Sequence, residues 1–294
     1  MRHHLQNSNL SICVDEQGAE LCSIRRLSDQ REYLWQGDPA YWQGQSPILF
    51  PTVGSARGGI IRHRGTCYEM PKHGLVKGMR FRLSERDEES MTFTVGSSEE
   101  TLRHYPFPFE LSITYRLTEN RLEVVFRVTN PSSEVLPFHL GAHPALNLPD
   151  FCDGDDVHGY LSFDTPDRLV SNGLKPGGLL WPEGSFDVPL DEHRQLALTN
   201  HTFDCDTILD SRGLTRACTL LNKEGKPVAT LRFDSPILAL WAPCGGRAPF
   251  VCIEPWWGCC DRFDYEREFS ERPWTNSVPA HDTREIGYTI EGVS

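Results

Sequence analysis

Apolar and polar residues alternate with a period of two through much of the chain. Phe109, Leu111, Ile113, Tyr115 and Leu117 mark one side of FELSITYRL, and Leu122, Val124, Phe126 and Val128 mark one side of LEVVFRVTN. Successive side chains of a strand point to opposite faces, so each run predicts a half-buried strand. The residues between them, Thr118-Glu119-Asn120-Arg121, supply a turn, and the whole predicts a β-hairpin. Similar runs at Leu10–Val14, Glu20–Ile24, Met91–Val95, Tyr160–Phe163, Val228–Phe233, Ile237–Trp241, Phe250–Ile253 and Ile286–Ile290 predict further strands. Turn residues such as Asp15-Glu16-Gln17-Gly18 and Asn222-Lys223-Glu224-Gly225 separate them. Helical character is confined to a short piece near Glu99–His104. The stretch 164–200, with Pro166, Pro176, Gly177, Gly178 and Pro182, reads as a long loop excursion. There is no internal repeat and no charged or low-complexity linker. The pattern predicts an all-β fold, a large sandwich of antiparallel sheets built as one domain over residues 1–294.

Composition narrows the function classes. Hydrophobic residues make up 38% of the 294 residues, enough for a sizeable core. The net charge of −12 argues against nucleic acid or an anionic membrane surface as partner. No apolar run approaches the roughly 20 residues of a bilayer-crossing helix. The start, MRHHLQNSNLSICVDEQ, lacks the basic flank and apolar core of a secretory signal. The expectation is a cytoplasmic protein. Its ten cysteines include no Cys-x-x-Cys, and Cys259 and Cys260 are adjacent, a poor spacing for a structural zinc site. They are expected to be reduced and buried, packing as small hydrophobes.

Three stretches set titratable groups beside aromatics and turns: MPKHGLVKGMRF (70–81), FHLGAHPALN (138–147) and FVCIEPWWGCCD (250–261). A fourth, FDCDTILD (203–210), is acidic. In an extended FHLGAH, His139, Gly141 and His143 share a face, and Gly141 leaves room for a ligand or a neighbouring backbone. Glu254 follows the apolar run Phe250–Ile253 and precedes Pro255, where burial of its carboxyl would raise its pKa. A histidine facing a carboxylate is the minimal equipment for general acid–base catalysis. Each residue alone also has a plainer reading: structural histidines, a turn glutamate, packing tryptophans at 181, 241, 256 and 257, and solvated charges at Arg57 and Lys77.

In combination and in this order, the stretches resemble the aldose 1-epimerase (galactose mutarotase) family. The segment SPILFPTVG followed by HGLVKGMRF is similar to a family branch reading roughly Leu-Phe-Pro…His-Gly-Phe-Ala-Arg. GAHPALN resembles the Gly-x-His-Pro-x-Phe segment, and PFVCIEPWWGCCD resembles the segment ending Cys-x-Glu-Pro-Trp-x-Gly. The resemblance implies a β-supersandwich and an isomerase that interconverts the α and β anomers of an aldose without metal or organic cofactor. It implies His143 as the acid that protonates the ring oxygen and Glu254 as the base at the anomeric hydroxyl. His73 would hydrogen-bond the ring oxygen or a neighbouring hydroxyl, and Asp206 would accept from sugar hydroxyls. Trp256 belongs to the same motif and is assigned to sugar binding. An acid and a base on opposite sides of the ring would avoid pairing with each other. The family's sugar-binding Arg has no clear match among Arg57, Arg62 and Arg64; Arg57 is taken for that role. Lys77 stands where the branch has Arg, and a cation there suits the phosphate of a hexose 6-phosphate.

Two other classes compete. One is a non-catalytic carbohydrate-binding or sugar-sensing protein on the same fold. The other is a metal-dependent β-sandwich enzyme using His139, His143 and a carboxylate. The partner expected is a small aldose or sugar phosphate.

Overall fold

A computed structural model of the chain describes residues 1–165, 168–243, 245 and 247–292. The two plainest alternating runs form the centre of a nine-stranded antiparallel sheet. Arg121–Thr129 pairs with Glu110–Thr118 on one side and Thr283–Gly292 on the other. Ser90–Gly96 and Arg82–Arg86 extend one edge, while Pro227–Phe233, Ala217–Leu221, Tyr160–Phe163 and Gln195–Ala197 extend the other. Leu111, Ile113, Tyr115, Leu122, Val124 and Phe126 all turn into the core. The intervening positions carry a cross-strand row of hydroxyls, in which Thr92 meets Thr114 and Thr94 meets Ser112 at 2.9 Å each.

The second large sheet is built around Phe250–Trp257, which pairs with Ile237–Trp241 on one side and with Leu140–Ala142 and Ala145–Asn147 on the other. Ile208–Asp210 and Ile48–Leu49 close its edges. Every residue of Phe250–Trp257 is buried, because both faces are covered. Val251, Ile253 and Trp257 join the main core between the sheets. Phe250, Cys252, Glu254 and Trp256 alternate to the other face, and Glu254 is the sole charged residue of the strand. A three-stranded sheet, Arg2–Gln6, Leu10–Asp15 and Leu21–Arg26, and a hairpin of Ile60–His63 with Thr66–Glu69 complete the frame.

The helical expectation holds as one turn, Glu99–Leu102, capped by the Ser98 hydroxyl. The loop expected over 164–200 is corrected: Leu169–Lys175 and Leu179–Val188 pair as a hairpin. Its turn is Pro176-Gly177-Gly178, with φ of +87° and +73° at the two glycines. Alternation is hidden there by a register shift between Ser171 and Gly173, where Gly173 packs against the Gly184 carbonyl. Pro166 lies outside the described residues. So does Cys244; of the other cysteines Cys67, Cys152 and Cys205 are exposed, so the expectation of burial fails for these three. Among the described residues, none of the cysteines is in a disulfide, and no helix is long and apolar enough to cross a membrane.

Candidate active site

Strand register brings the principal pair together. Gly141 lies opposite Trp256 and Ala145 opposite Cys252, so His143, midway along one strand, stands across from Glu254, midway along the other. Their side chains point to the same face, and His143 Nε2 lies 3.3 Å from Glu254 Oε2. Pairing does not end at Pro144: the Pro144 carbonyl accepts from Ile253 N–H at 3.2 Å, and Ala145–Asn147 resumes the ladder. Gly141 clears space for protein rather than ligand, because a Cβ there would lie 2.9 Å from the Trp256 indole. That indole turns back along its own strand, and its N–H donates to Glu254 Oε2 at 3.1 Å.

The His73 loop is clamped onto Phe50, the residue that follows strand Ile48–Leu49, through an isolated bridge from Gly74. The Phe50 carbonyl accepts from Leu75 N–H at 2.7 Å. Gly74, at φ +76°, passes so close that a Cβ would lie 2.2 Å from that carbonyl oxygen, so glycine alone fits. His73 itself adopts φ +67°. Its backbone N–H donates to the Gly54 carbonyl at 2.9 Å, and its Nδ1 accepts from Gly54 N–H at 3.2 Å. An accepting Nδ1 leaves the ring proton on Nε2, which makes His73 a donor. The His73 and His143 rings meet edge to face, 5.8 Å between centroids.

These residues line a cavity of about 450 Å³. Trp42 covers His143, stacked at 4.9 Å and 29°, and Trp241 meets the same imidazole edge-on at 5.7 Å. Trp42 is held by the loop whose Gln45 and Ser46 amides donate to Glu20. The remaining wall includes Lys72, Lys77, Asp206, Thr207, Leu209 and Trp256. Asp206 is exposed, sits at φ +70° and accepts from the Thr207 amide and hydroxyl. Trp42 and Lys72 were missed in the sequence because neither falls on an alternating run; the doublet of cations in PKHGLVK was the available signal for Lys72.

Two expectations are corrected. Arg57 is not part of the cavity wall: its backbone amide donates to Asp261 at 2.8 Å and its guanidinium pairs with Glu266 at 2.6 Å, which turns it away. His139 does not share a site with His143. The chain switches partners at this residue, from Asn276–Val278 to Phe250–Trp257. Its imidazole packs into the space left by Gly258, accepts from Cys259 N–H at 3.3 Å, and lies 3.0 Å from the Thr275 hydroxyl. The metal set of His139, His143 and a carboxylate is thereby ruled out as drawn.

The acid and base were expected on opposite sides of a sugar ring, yet they touch. Burial drives both toward neutrality. It lowers His143 to about 3, with Lys72 and Lys77 pushing the same way. It raises the Glu254 carboxyl well above its ordinary range, although the Trp256 N–H and Lys72 pull back. One indole donor does not offset the desolvation of two charges, so burial works against a fully charged pair at this 3.3 Å contact. Burial likewise holds His73 well below its usual value, and the charges of His143, Lys72 and Lys77 add to this.

Known proteins resemble this chain along nearly its whole length. Residues 1–256 match the family model described as aldose 1-epimerase. A Lactococcus lactis subsp. lactis protein, the plasmid-encoded protein LacX, is 33% identical over 301 residues, covering 99% of each chain. A galactose mutarotase-like protein from Lactobacillus casei superposes with a TM-score of 0.92 at 30% identity, over 99% of both chains. A galactose mutarotase related enzyme from Lactobacillus acidophilus superposes with a TM-score of 0.93 at 28% identity, over 100% of this chain and 98% of that one. A family match over most of the sequence, together with relatives aligned end to end, settles the membership: this chain belongs to the aldose 1-epimerase family.

Proposed function

We propose that the protein is a mutarotase, interconverting the α and β anomers of an aldose by acid–base ring opening and closure. The observation that carries this reading is the His143–Glu254 contact at 3.3 Å in the wall of a sugar-sized cavity. The anomeric hydroxyl oxygen and the ring oxygen are both bonded to C1, so an acid and a base in mutual contact can serve both atoms.

The chemistry balances on one proton. Transfer from the Glu254 carboxyl to His143 Nε2 gives carboxylate and imidazolium, with the Trp256 N–H and Lys72 favouring the carboxylate. Glu254 then takes the proton from the anomeric hydroxyl while His143 gives its proton to the ring oxygen. The C1–ring oxygen bond breaks, an open-chain aldehyde forms, and the pair is again acid and neutral imidazole. Rotation about C1–C2 presents the other carbonyl face, and the same two transfers run backward to close the ring. His73 supplies a neutral donor to a sugar oxygen, Asp206 accepts from hydroxyls, and Trp42 and Trp241 hold the plane of His143.

A second reading, that the substrate is a hexose 6-phosphate, is favoured by one observation. Lys72 and Lys77 both face the cavity, and neither has a carboxylate partner among the ion pairs of the described residues. Lys77 Nζ donates to the Lys72 carbonyl at 3.0 Å, and burial and Lys72 depress its pKa. Two cations gathered without a counter-anion suit a phosphate.

Exchange spectroscopy by NMR tests the reading: catalytic amounts of protein should produce exchange cross-peaks between the anomeric protons of an equilibrated sugar. Sugar binding without exchange would make the protein a carbohydrate-binding member of the family instead.

A further inference from the structure

Cys252 lies on the same face of Phe250–Trp257 as Glu254, two positions earlier. One potential ligand atom from each of His143, Cys252 and Glu254 lies within 4.8 Å of the other two, and all three residues are buried. No other such group of His, Cys, Asp and Glu occurs among the described residues. Thiolate, imidazole and carboxylate are the donor types that hold zinc. With bonds of about 2.0–2.1 Å to nitrogen and oxygen, a tetrahedral zinc ion sets those two donors about 3.3 Å apart. The His143 Nε2 to Glu254 Oε2 distance is 3.3 Å. The Cys252 sulfur lies within 4.8 Å of both of the other donors, and its single side-chain torsion governs its approach to them.

Charge points the same way. With thiol and carboxyl deprotonated the trio carries two negative charges, which a divalent cation neutralises, so the assembled site is buried without net charge. Lys72 and Lys77 line the same cavity and oppose entry of a cation, so binding rests on the three donors and not on the field of the wall.

We propose that His143, Cys252 and Glu254 form a thiophilic divalent-cation site, entered through the cavity, at which Zn²⁺ occupies the acid–base pair and blocks turnover. The thiol and carboxyl release their protons to solvent; sulfur, carboxylate oxygen and imidazole nitrogen each donate a lone pair, and the fourth position faces the cavity. The blocking half rests on the mutarotase reading, whereas the binding half does not. Cys252 takes no part in the acid–base chemistry, so the site has a ligand that can be removed without touching catalysis.

The test begins with chelator-treated protein titrated with Cd²⁺, followed by the ultraviolet thiolate-to-cadmium charge-transfer band. Wild type should saturate at one equivalent. Cys252→Ser and Cys252→Ala should lose the band, while the Cys259→Ser/Cys260→Ser double variant keeps it. X-ray absorption of the zinc-loaded wild type should report one sulfur and lighter N/O ligands, a readout that needs no variant. In the anomer-exchange assay the Zn²⁺ concentration for half inhibition should rise at least about tenfold in Cys252→Ser, at unchanged basal rate. A band that survives in Cys252→Ser and disappears in the double variant would overturn the proposal, as would an all-oxygen or multi-sulfur zinc shell. If no sugar is turned over, the cadmium band and the absorption spectrum still decide the metal site.

Discussion

His143 and Glu254 stand across from each other on adjacent antiparallel strands, with Nε2 and Oε2 3.3 Å apart and Trp256 N–H bound to the same carboxyl oxygen. The two groups that would exchange protons with a sugar therefore lie in contact with each other. Ladder hydrogen bonds on both sides of the pair, at Gly141–Trp256 and Ala145–Cys252, hold that geometry independently of any ligand.

Replacing Glu254 by Gln keeps the shape of the pair and removes its proton chemistry. The expected result is a fall in kcat of about 10²–10⁴-fold, the usual worth of a general acid or base, with the sugar Kd changed by no more than a few-fold. Steady-state rates alongside calorimetric titration separate the two quantities. Parallel loss of rate and affinity would assign Glu254 to binding.

The same variant should become relatively more stable as pH rises. Burial raises the Glu254 carboxyl above its ordinary value of 4.5, so the folded chain retains a proton there that the unfolded chain has released. The stability contributed is therefore complete below pH 4.5 and is lost as pH climbs toward the raised folded value. Glutamine does not titrate. Thermal melts from about pH 5 to about pH 8 should show the Tm advantage of Glu254→Gln growing with pH. A constant offset would place an ionised carboxylate in the fold.

Lys72 and Lys77 separate the two substrate readings. A Lys72→Met/Lys77→Met variant should raise KM for a hexose 6-phosphate by about 10–100-fold, from a hydrogen bond to a charged group worth about 1.5–3 kcal/mol. The KM for a free aldose should stay within a few-fold. An equal effect on both sugars would remove the lysines from phosphate recognition.

Gly74→Ala should destabilise the fold by at least about 1–3 kcal/mol, since a strained backbone angle and a close backbone contact coincide there. The Cβ would meet the Phe50 carbonyl oxygen at 2.2 Å. Gly78→Ala, five residues from His73 and with nothing within 4 Å of its Cβ, is the matched control and should melt close to wild type. Equal melting of the two variants would show that the His73 loop is not pinned at Phe50.

Much of the frame was legible in the amino-acid pattern because its strands alternate over long runs, as Glu110–Thr118 and Arg121–Thr129 do. The Leu169–Val188 hairpin was not, because glycines and prolines interrupt its alternation and a register shift displaces it. Local pattern located His143 and Glu254, but their contact depends on register between strands more than a hundred residues apart, which no local signal encodes. Arg57 shows the reverse failure: it sits in a promising segment, yet Asp261 and Glu266, distant in sequence, decide where it points. Trp42 packs on His143 from a loop with no periodicity at all.

Polarimetry of fresh α-D-glucose, α-D-galactose and a panel of other aldoses and hexose 6-phosphates shows whether the protein interconverts anomers. The approach to anomeric equilibrium should accelerate in proportion to protein concentration for at least one sugar, and Glu254→Gln should cut that acceleration by about 10²–10⁴-fold. Rates indistinguishable from the spontaneous reaction across the whole panel would contradict the mutarotase reading.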